Sequence, residues 1–133
     1  MSASVGIDIS ANTFDVVVFN QGTFSKPVRY RQCIDDHKKL IAQLRKLRPA
    51  HIVLEATGVY YFDLAIALSE AGLWVSVINP KSSKHFAQLK LQNSKTDAID
   101  AALLAEYGAR MQPRTWTPPA QTQQALRSLG RQI

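Results

Sequence analysis

The sequence predicts a mixed α/β fold: one sheet of three antiparallel strands followed by parallel strands, with helices on both faces. Three observations predict it. Two short apolar runs, residues 4–10 and 14–20, are separated by only the turn-prone Ala11, Asn12 and Thr13, which is the spacing of a hairpin. Two further apolar runs, His51–Glu55 and 73–78, each follow a stretch of helical periodicity, as parallel strands joined by crossovers do. The chain has 133 residues, 46% hydrophobic and 20% charged, enough for one core and without the composition of a disordered segment.

Taken in order, the hairpin is followed by a third strand over roughly 23–31, entered through Gln21 and Gly22. Pro27 within it cannot donate to a ladder and predicts an edge position or a bulge. Asp35 and Asp36 are candidate N-caps for a helix carrying Leu40, Ile41, Leu44 and Leu47, which Pro49 ends. The fourth strand, His51–Glu55, turns at Ala56, Thr57 and Gly58. A second helix then carries Phe62, Leu64, Ala65, Ile66, Leu68 and Ala71 and stops at Gly72. The fifth strand, 73–78, is ended by Asn79 and Pro80. A short helix follows over 81–89, then a polar stretch, then a longer helix from Asp97 to about Arg110. Hairpins that feed parallel strands through crossovers are the plan of an RNase H-like sheet. A doubly wound fold would instead alternate strand and helix from the start.

This reading makes 1–111 a catalytic-sized domain and 112–119, with its three prolines at 113, 118 and 119, a linker. Leu126, Leu129 and Ile133 recur at i, i+3 and i+7, so 120–133 is expected to begin a helical seam that continues beyond Ile133. Lys and Arg number 16 against 10 Asp and Glu, a formal charge of +6, which favours a polyanionic partner. Lys38, Lys39, Arg45, Lys46 and Arg48 share a helix with Asp35 and Asp36 and read as a solvated surface. Lys81, Lys84, Lys90 and Lys95 have no acidic residue between them, so their repulsion is expected to go unrelieved until an anion arrives. The single cysteine, Cys33, excludes an internal disulfide and fits a reducing compartment. No signal-like N-terminus and no membrane-length apolar run is present, so a cytoplasmic location without a membrane partner is expected.

Four acids carry the chemistry. Asp8 lies inside the first strand between Ile7 and Ile9, and Glu55 ends the fourth. A carboxylate inside a central strand is costly unless it is paired or bound to a metal. In the expected sheet the first and fourth strands are neighbours, which brings Asp8 and Glu55 together. Asp97 and Asp100, at i and i+3, are expected to share one face of the last helix and to be laid across the same spot. Four such oxygen donors select Mg²⁺ or Mn²⁺. Two ions roughly 3.5 to 4 Å apart would serve phosphoryl transfer. Each acid has a plainer reading as well: Asp8 before a bend, Glu55 capping the next helix, Asp97 in a capping box with Ser94, and both aspartates favouring a helix N-terminus.

The segments GIDIS (6–10), LEATG (54–58), VINP (77–80) with Phe86 and Ala87 after it, and above all KTDAIDA (95–101) resemble the DEDD transposases of the Piv-invertase type, the IS110 insertion-sequence family. The resemblance spans about the whole chain, as the N-terminal half of such an enzyme. It implies a RuvC-type domain whose metal-binding tetrad matches Asp8, Glu55, Asp97 and Asp100. It also implies DNA strand cleavage and transfer, a coiled coil through which the full-length protein forms homo-oligomers, and a C-terminal domain whose serine is the nucleophile. A structured bridge RNA is implied as the guide. Lys95 and Thr96 match the family pattern before Asp97. With Lys81, Lys84 and Lys90 they are the expected nucleic-acid contacts, the first two beside Ser82 and Ser83 at a helix N-terminus suited to phosphate. This chain stops where the coiled coil would begin and carries no counterpart of the serine domain, so complete strand exchange is not expected of it alone.

Other readings compete. A RuvC-type Holliday junction resolvase uses a similar acidic site, and a non-catalytic nucleic-acid-binding module would need only the basic 81–95 segment. The first phosphate loop of an actin-like ATPase or sugar kinase can also begin with a GIDIG-like hairpin, but the second phosphate loop and second subdomain it would need are not visible. His37, His51 and His85 are too scattered for zinc and read as surface or strand-end residues. Trp74 reads as core, and Trp116 as docking back on the domain from the linker. Residues 88–96, polar throughout much of their length, are expected to be mobile without nucleic acid.

Overall fold

The computed structural model describes residues 3–47, 49–90 and 99–119. The chain runs β1 (Ala3–Ile9), β2 (Thr13–Asn20), β3 (Thr23–Phe24), β4 (Val28–Arg31), α1 (Ile34–Lys46), β5 (Ala50–Glu55), α2 (Tyr61–Glu70), β6 (Trp74–Ile78), α3 (Pro80–Lys90) and α4 (Ala101–Met111). The sheet order is β3-β2-β1-β5-β6, with β4 also paired to β2. β1 is antiparallel to β2 and parallel to β5, and β5 is parallel to β6.

The period-two alternation of β1 and β5 divides their side chains between two cores. Val5, Ile7, Ile52 and Leu54 point to one face, where Leu40 and Leu44 of α1 and Leu64 and Leu68 of α2 cover them. Ser4, Gly6 and Val53 point to the other, under α4. The Ser4 hydroxyl donates to the Ala105 carbonyl at 2.5 Å, and Val53 packs with Ile78 and Leu104. Continuing each alternation puts Asp8 and Glu55 on the α4 face as well, at the end of their strands.

Several expectations are corrected. The third strand is two pieces, because the break at residues 25–27 interrupts its pairing to β2. There Ser25 substitutes for the ladder, its amide donating to the Val18 carbonyl and its hydroxyl accepting from the Val18 amide, each at 2.8 Å. Cys33, rather than Asp35 or Asp36, occupies the N-cap of α1 and offers no side-chain bond. Asp36 is instead buried, accepting from the Arg31 amide at 2.7 Å and pairing with the Arg31 guanidinium at 3.5 Å. Trp74 is 40% exposed rather than core, whereas His51 is buried. The two rings stack with centroids 3.9 Å apart and an interplanar angle of 2°.

Residues 112–119 have no regular structure, yet they are not a free linker. The Trp116 amide donates to the Val75 carbonyl at 2.7 Å, along the open edge of β6, and its ring meets Phe62 edge-on at 6.1 Å. This covers a strand edge that would otherwise present unpaired backbone groups. The Ser76 hydroxyl donates to the Arg114 carbonyl at 2.5 Å and so accepts from His51 Nε2 at 2.6 Å, which makes His51 Nε2 the donor in this network. The seam expected over 120–133 lies outside the described residues, as does most of the 88–96 segment; Gln88–Lys90 complete α3.

Burial pushes the His51 pKa down to about 4 from 6.5. The unfolded chain therefore binds a proton that the folded chain refuses. The resulting stability is complete above about pH 6.5 and is lost as pH falls through about 4, up to about 3 kcal/mol. Urea unfolding is expected to show the difference between the wild-type chain and His51→Gln shrinking over that window. A difference independent of pH would contradict it.

Candidate active site

Asp8, Glu55 and Asp100 arrive at one end of the sheet from three elements. In the antiparallel ladder Asp8 faces Asp15 of β2, and the parallel ladder ends at Ile7 beside Leu54, one residue short of Asp8 and Glu55. Asp100 is the N-cap of α4, with extended backbone angles (φ −126, ψ −179) and a carboxylate that accepts from the Leu103 amide at 2.9 Å. α4 therefore begins at Ala101, with Asp100 ahead of its first turn rather than within the helix. Asp97, with Lys95 and Thr96, lies outside the described residues.

Gly6 is what lets α4 bring Asp100 so close. A Cβ built on Gly6 would stand 1.9 Å from the Ala101 carbonyl oxygen and 2.4 Å from the Ala105 amide nitrogen, both backbone atoms. Only a residue without a side chain admits the first turn of α4 at this depth.

The electrostatics report the crowding. Burial, then the charges of Asp15, Asp100 and Glu55 in that order, raise the Asp8 pKa to about 6 from 3.8. Asp15 is itself answered by Arg29, whose Nε and Nη2 donate to its two oxygens at 2.8 and 3.2 Å. Both Glu55 oxygens accept hydroxyls, Oε1 from Thr57 and Oε2 from Ser83. Among the described residues no three His, Cys, Asp or Glu side chains are gathered tightly enough to hold a metal ion. The donor set nonetheless fits a hard divalent cation in kind: oxygen donors only, with a half-buried carboxylate whose repulsion a cation would relieve.

The basic segment is less simple than its sequence. Lys81 and Lys84 are exposed on α3. Ser83, expected with them at a phosphate site, is fully buried and turned toward Glu55, and Asn79 Oδ1 already accepts from the Lys81 amide at 2.8 Å. Lys90 does not wait for an external anion, because Glu106 of α4 pairs with it and also accepts from Arg110 at 2.6 Å. Glu106 was not legible as a partner, since it lies 16 positions from Lys90 and only α3–α4 packing joins them.

A family model described as a transposase, of the IS110 DEDD type, matches residues 5–133. The chain belongs to this family. It is 31% identical over 131 residues to the pilin gene-inverting protein of Moraxella lacunata, covering 96% of this chain and 41% of that protein. For the pilin gene-inverting protein of Moraxella bovis the identity is 30% over 137 residues, with the same two shares, 96% and 41%. The chain thus spans less than half the length of the curated relatives it matches. In fold, this IS110-type domain is similar to RuvC of Thermus thermophilus, with a TM-score of 0.56 at 15% identity, covering 85% of this chain and 98% of that one. A RuvC structure in complex with a Holliday junction substrate aligns with a TM-score of 0.53 at 14% identity, covering 84% and 96%. The RNase H-like architecture expected from the order of elements is therefore the fold of this transposase domain. No helix among the described residues is long and apolar enough to cross a membrane.

Proposed function

We propose that this chain is the divalent-cation-dependent catalytic domain of a DNA recombinase that cleaves and transfers strands. One observation carries the reading: Asp8 and Glu55 stand at the C-terminal ends of two adjacent central strands, and the charges of Glu55 and of the α4 cap Asp100, both far away in sequence, act on Asp8. Asp8, Glu55 and Asp100 would hold Mg²⁺ or Mn²⁺, with Asp97 as the fourth ligand on the strength of the family resemblance. Bound there, one or two ions would supply Lewis-acid activation of the attacking and leaving oxygens of a phosphodiester. The chain's own side chains would hold and orient that centre.

The partners follow the same reading. DNA is the substrate, as the name of the pilin gene-inverting relatives suggests for this family. Lys81 and Lys84 are exposed on α3, the helix whose Ser83 reaches Glu55, and can meet its phosphates, with Lys95 and Thr96 added on the strength of the resemblance; Lys90 would first have to leave Glu106. A bridge RNA as guide, a coiled coil joining copies, a C-terminal domain that supplies the serine nucleophile, and a cytoplasmic setting complete the proposal from the resemblance. The RuvC likeness leaves a junction resolvase as the second reading. Cleavage of a four-way junction without a guide RNA would favour it.

Asp100→Asn and Glu55→Gln in the full-length enzyme test the assignment. Asparagine caps a helix as well as aspartate does, so Asp100→Asn is expected to leave α4 and the unfolding midpoint intact. Recombination in cells is expected to fall about 100-fold or more with either substitution. Folded variants with wild-type recombination would refute the catalytic assignment.

A further inference from the structure

The geometry points to Thr57 and Ser83 as positioning residues that lock the Glu55 carboxylate in one rotational setting, an inference that rests on the cation-binding role proposed for Glu55. The two hydroxyls come from different elements and take different oxygens, Thr57 on Oε1 and Ser83 on Oε2. A carboxylate gripped at both oxygens cannot turn about its last bond without breaking one contact. Each ionised oxygen has two acceptor sites, so one remains on each for a cation.

The backbone is arranged for this grip. The Ala56 amide continues the ladder to the Ile78 carbonyl at 2.9 Å, and the Thr57 amide folds back to the Glu55 carbonyl at 2.9 Å. Gly58 then takes a left-handed conformation at φ +62, reversing the chain and leaving Thr57 beside the carboxylate. From the other side, Ser83 lies in the first turn of α3 with no exposure to solvent. Its hydroxyl has a second acceptor within its own helix, the Pro80 carbonyl at 3.0 Å, so α3 does not require Glu55 to satisfy it. Thr57 is exposed, where a hydroxyl contributes little to stability. A purely structural role therefore accounts poorly for the pair.

The chain contains three glutamates, Glu55, Glu70 and Glu106, so carboxyl-¹³C-glutamate labelling gives three assignable resonances. In the metal-free chain Thr57→Val and Ser83→Ala are each expected to shift the Glu55 carboxyl resonance and leave the other two in place. Thr57→Ser is expected to restore it. Mg²⁺ affinity is expected to fall about tenfold or more in the valine and alanine variants and to recover in the serine variant. Thr57→Val, being on the surface, keeps the test valid if Ser83→Ala destabilises the fold. A Glu55 resonance unmoved by either substitution would overturn the inference. If instead the resonances move as expected but wild-type Mg²⁺ binding does not depend on Asp8, the clamp stands and the cation-centre reading falls.

Discussion

Gly6→Ala is expected to cost about 3 kcal/mol or more and to leave much of the chain unfolded at room temperature, because the new methyl group has nowhere to go. Its nearest neighbours would be the Ala101 carbonyl oxygen at 1.9 Å and the Ala105 amide at 2.4 Å. These are main-chain atoms of α4, so no rotamer change can make room, and the whole helix would have to retreat from β1. That retreat would open the packing of Val53, Ile78 and Leu104 and carry Asp100 away from Asp8. Urea unfolding by circular dichroism measures the effect. A midpoint close to that of the wild-type chain would mean that α4 does not sit this tightly on the sheet.

Asp8→Asn is expected to act in opposite directions on stability and on function. The carboxyl group's pKa is raised to about 6 in the folded chain from 3.8, by burial first and then by Asp15, Asp100 and Glu55. A raised acid leaves stability at its fullest below the unfolded value and takes it away as pH rises through the folded one. Above about pH 7 the ionised Asp8 thus costs up to about 2 to 3 kcal/mol, less whatever water at this half-buried site screens. In a chelating buffer near pH 8 the asparagine variant should therefore unfold at higher urea than the wild-type chain, and the gap should close below about pH 4. Millimolar Mg²⁺ is expected to stabilise the wild-type chain and not the variant, because a ligand that binds only the folded state stabilises it. In the full-length enzyme the same substitution is expected to abolish recombination. An Asp8→Asn chain less stable than wild type at pH 8 would show that the acid is a structural partner rather than a charge held at a cost for chemistry.

The expected stability gain and functional loss have one cause. β1 and β5 are fully hydrophobic toward α1 and α2, and the energy of that core tolerates an acid at each strand's end on the opposite face. Glu106 is the contrast: a buried acid that neighbouring cations compensate within the protein, since Lys90 and Arg110 both pair with it and their hydrogen bonds lower its pKa against the opposing effect of burial.

The sequence by itself determined the elements and their order, and with them the neighbours of the central strand. Alternation in 4–10 and 14–20, helical periodicity after Asp36 and Tyr61, and the breakers at Pro49, Gly72 and Pro80 are local signals, readable without knowing what packs where. Asp8 and Glu55 could be matched only through the RNase H-like plan that this order suggested, in which the first and fourth strands are neighbours; the strand that precedes β5 in the chain, β4, pairs with β2 instead. What only the tertiary structure decided involves contacts between positions with no local signature. Asp100 proved to be a cap ahead of α4 because its carboxylate meets the Leu103 amide, although the same residues had suggested an earlier helix start. His51 went inward and Trp74 outward because Ser76, itself bonded to the carbonyl of Arg114 in the returning irregular segment, satisfies an imidazole, a network that draws on three segments. Ser83 turned from solvent to Glu55 for a like reason: the side of a helix that faces the sheet is set by how α3 packs, and the buried hydroxyl finds its acceptors among the groups that packing brings within reach, here the partly buried carboxylate of Glu55.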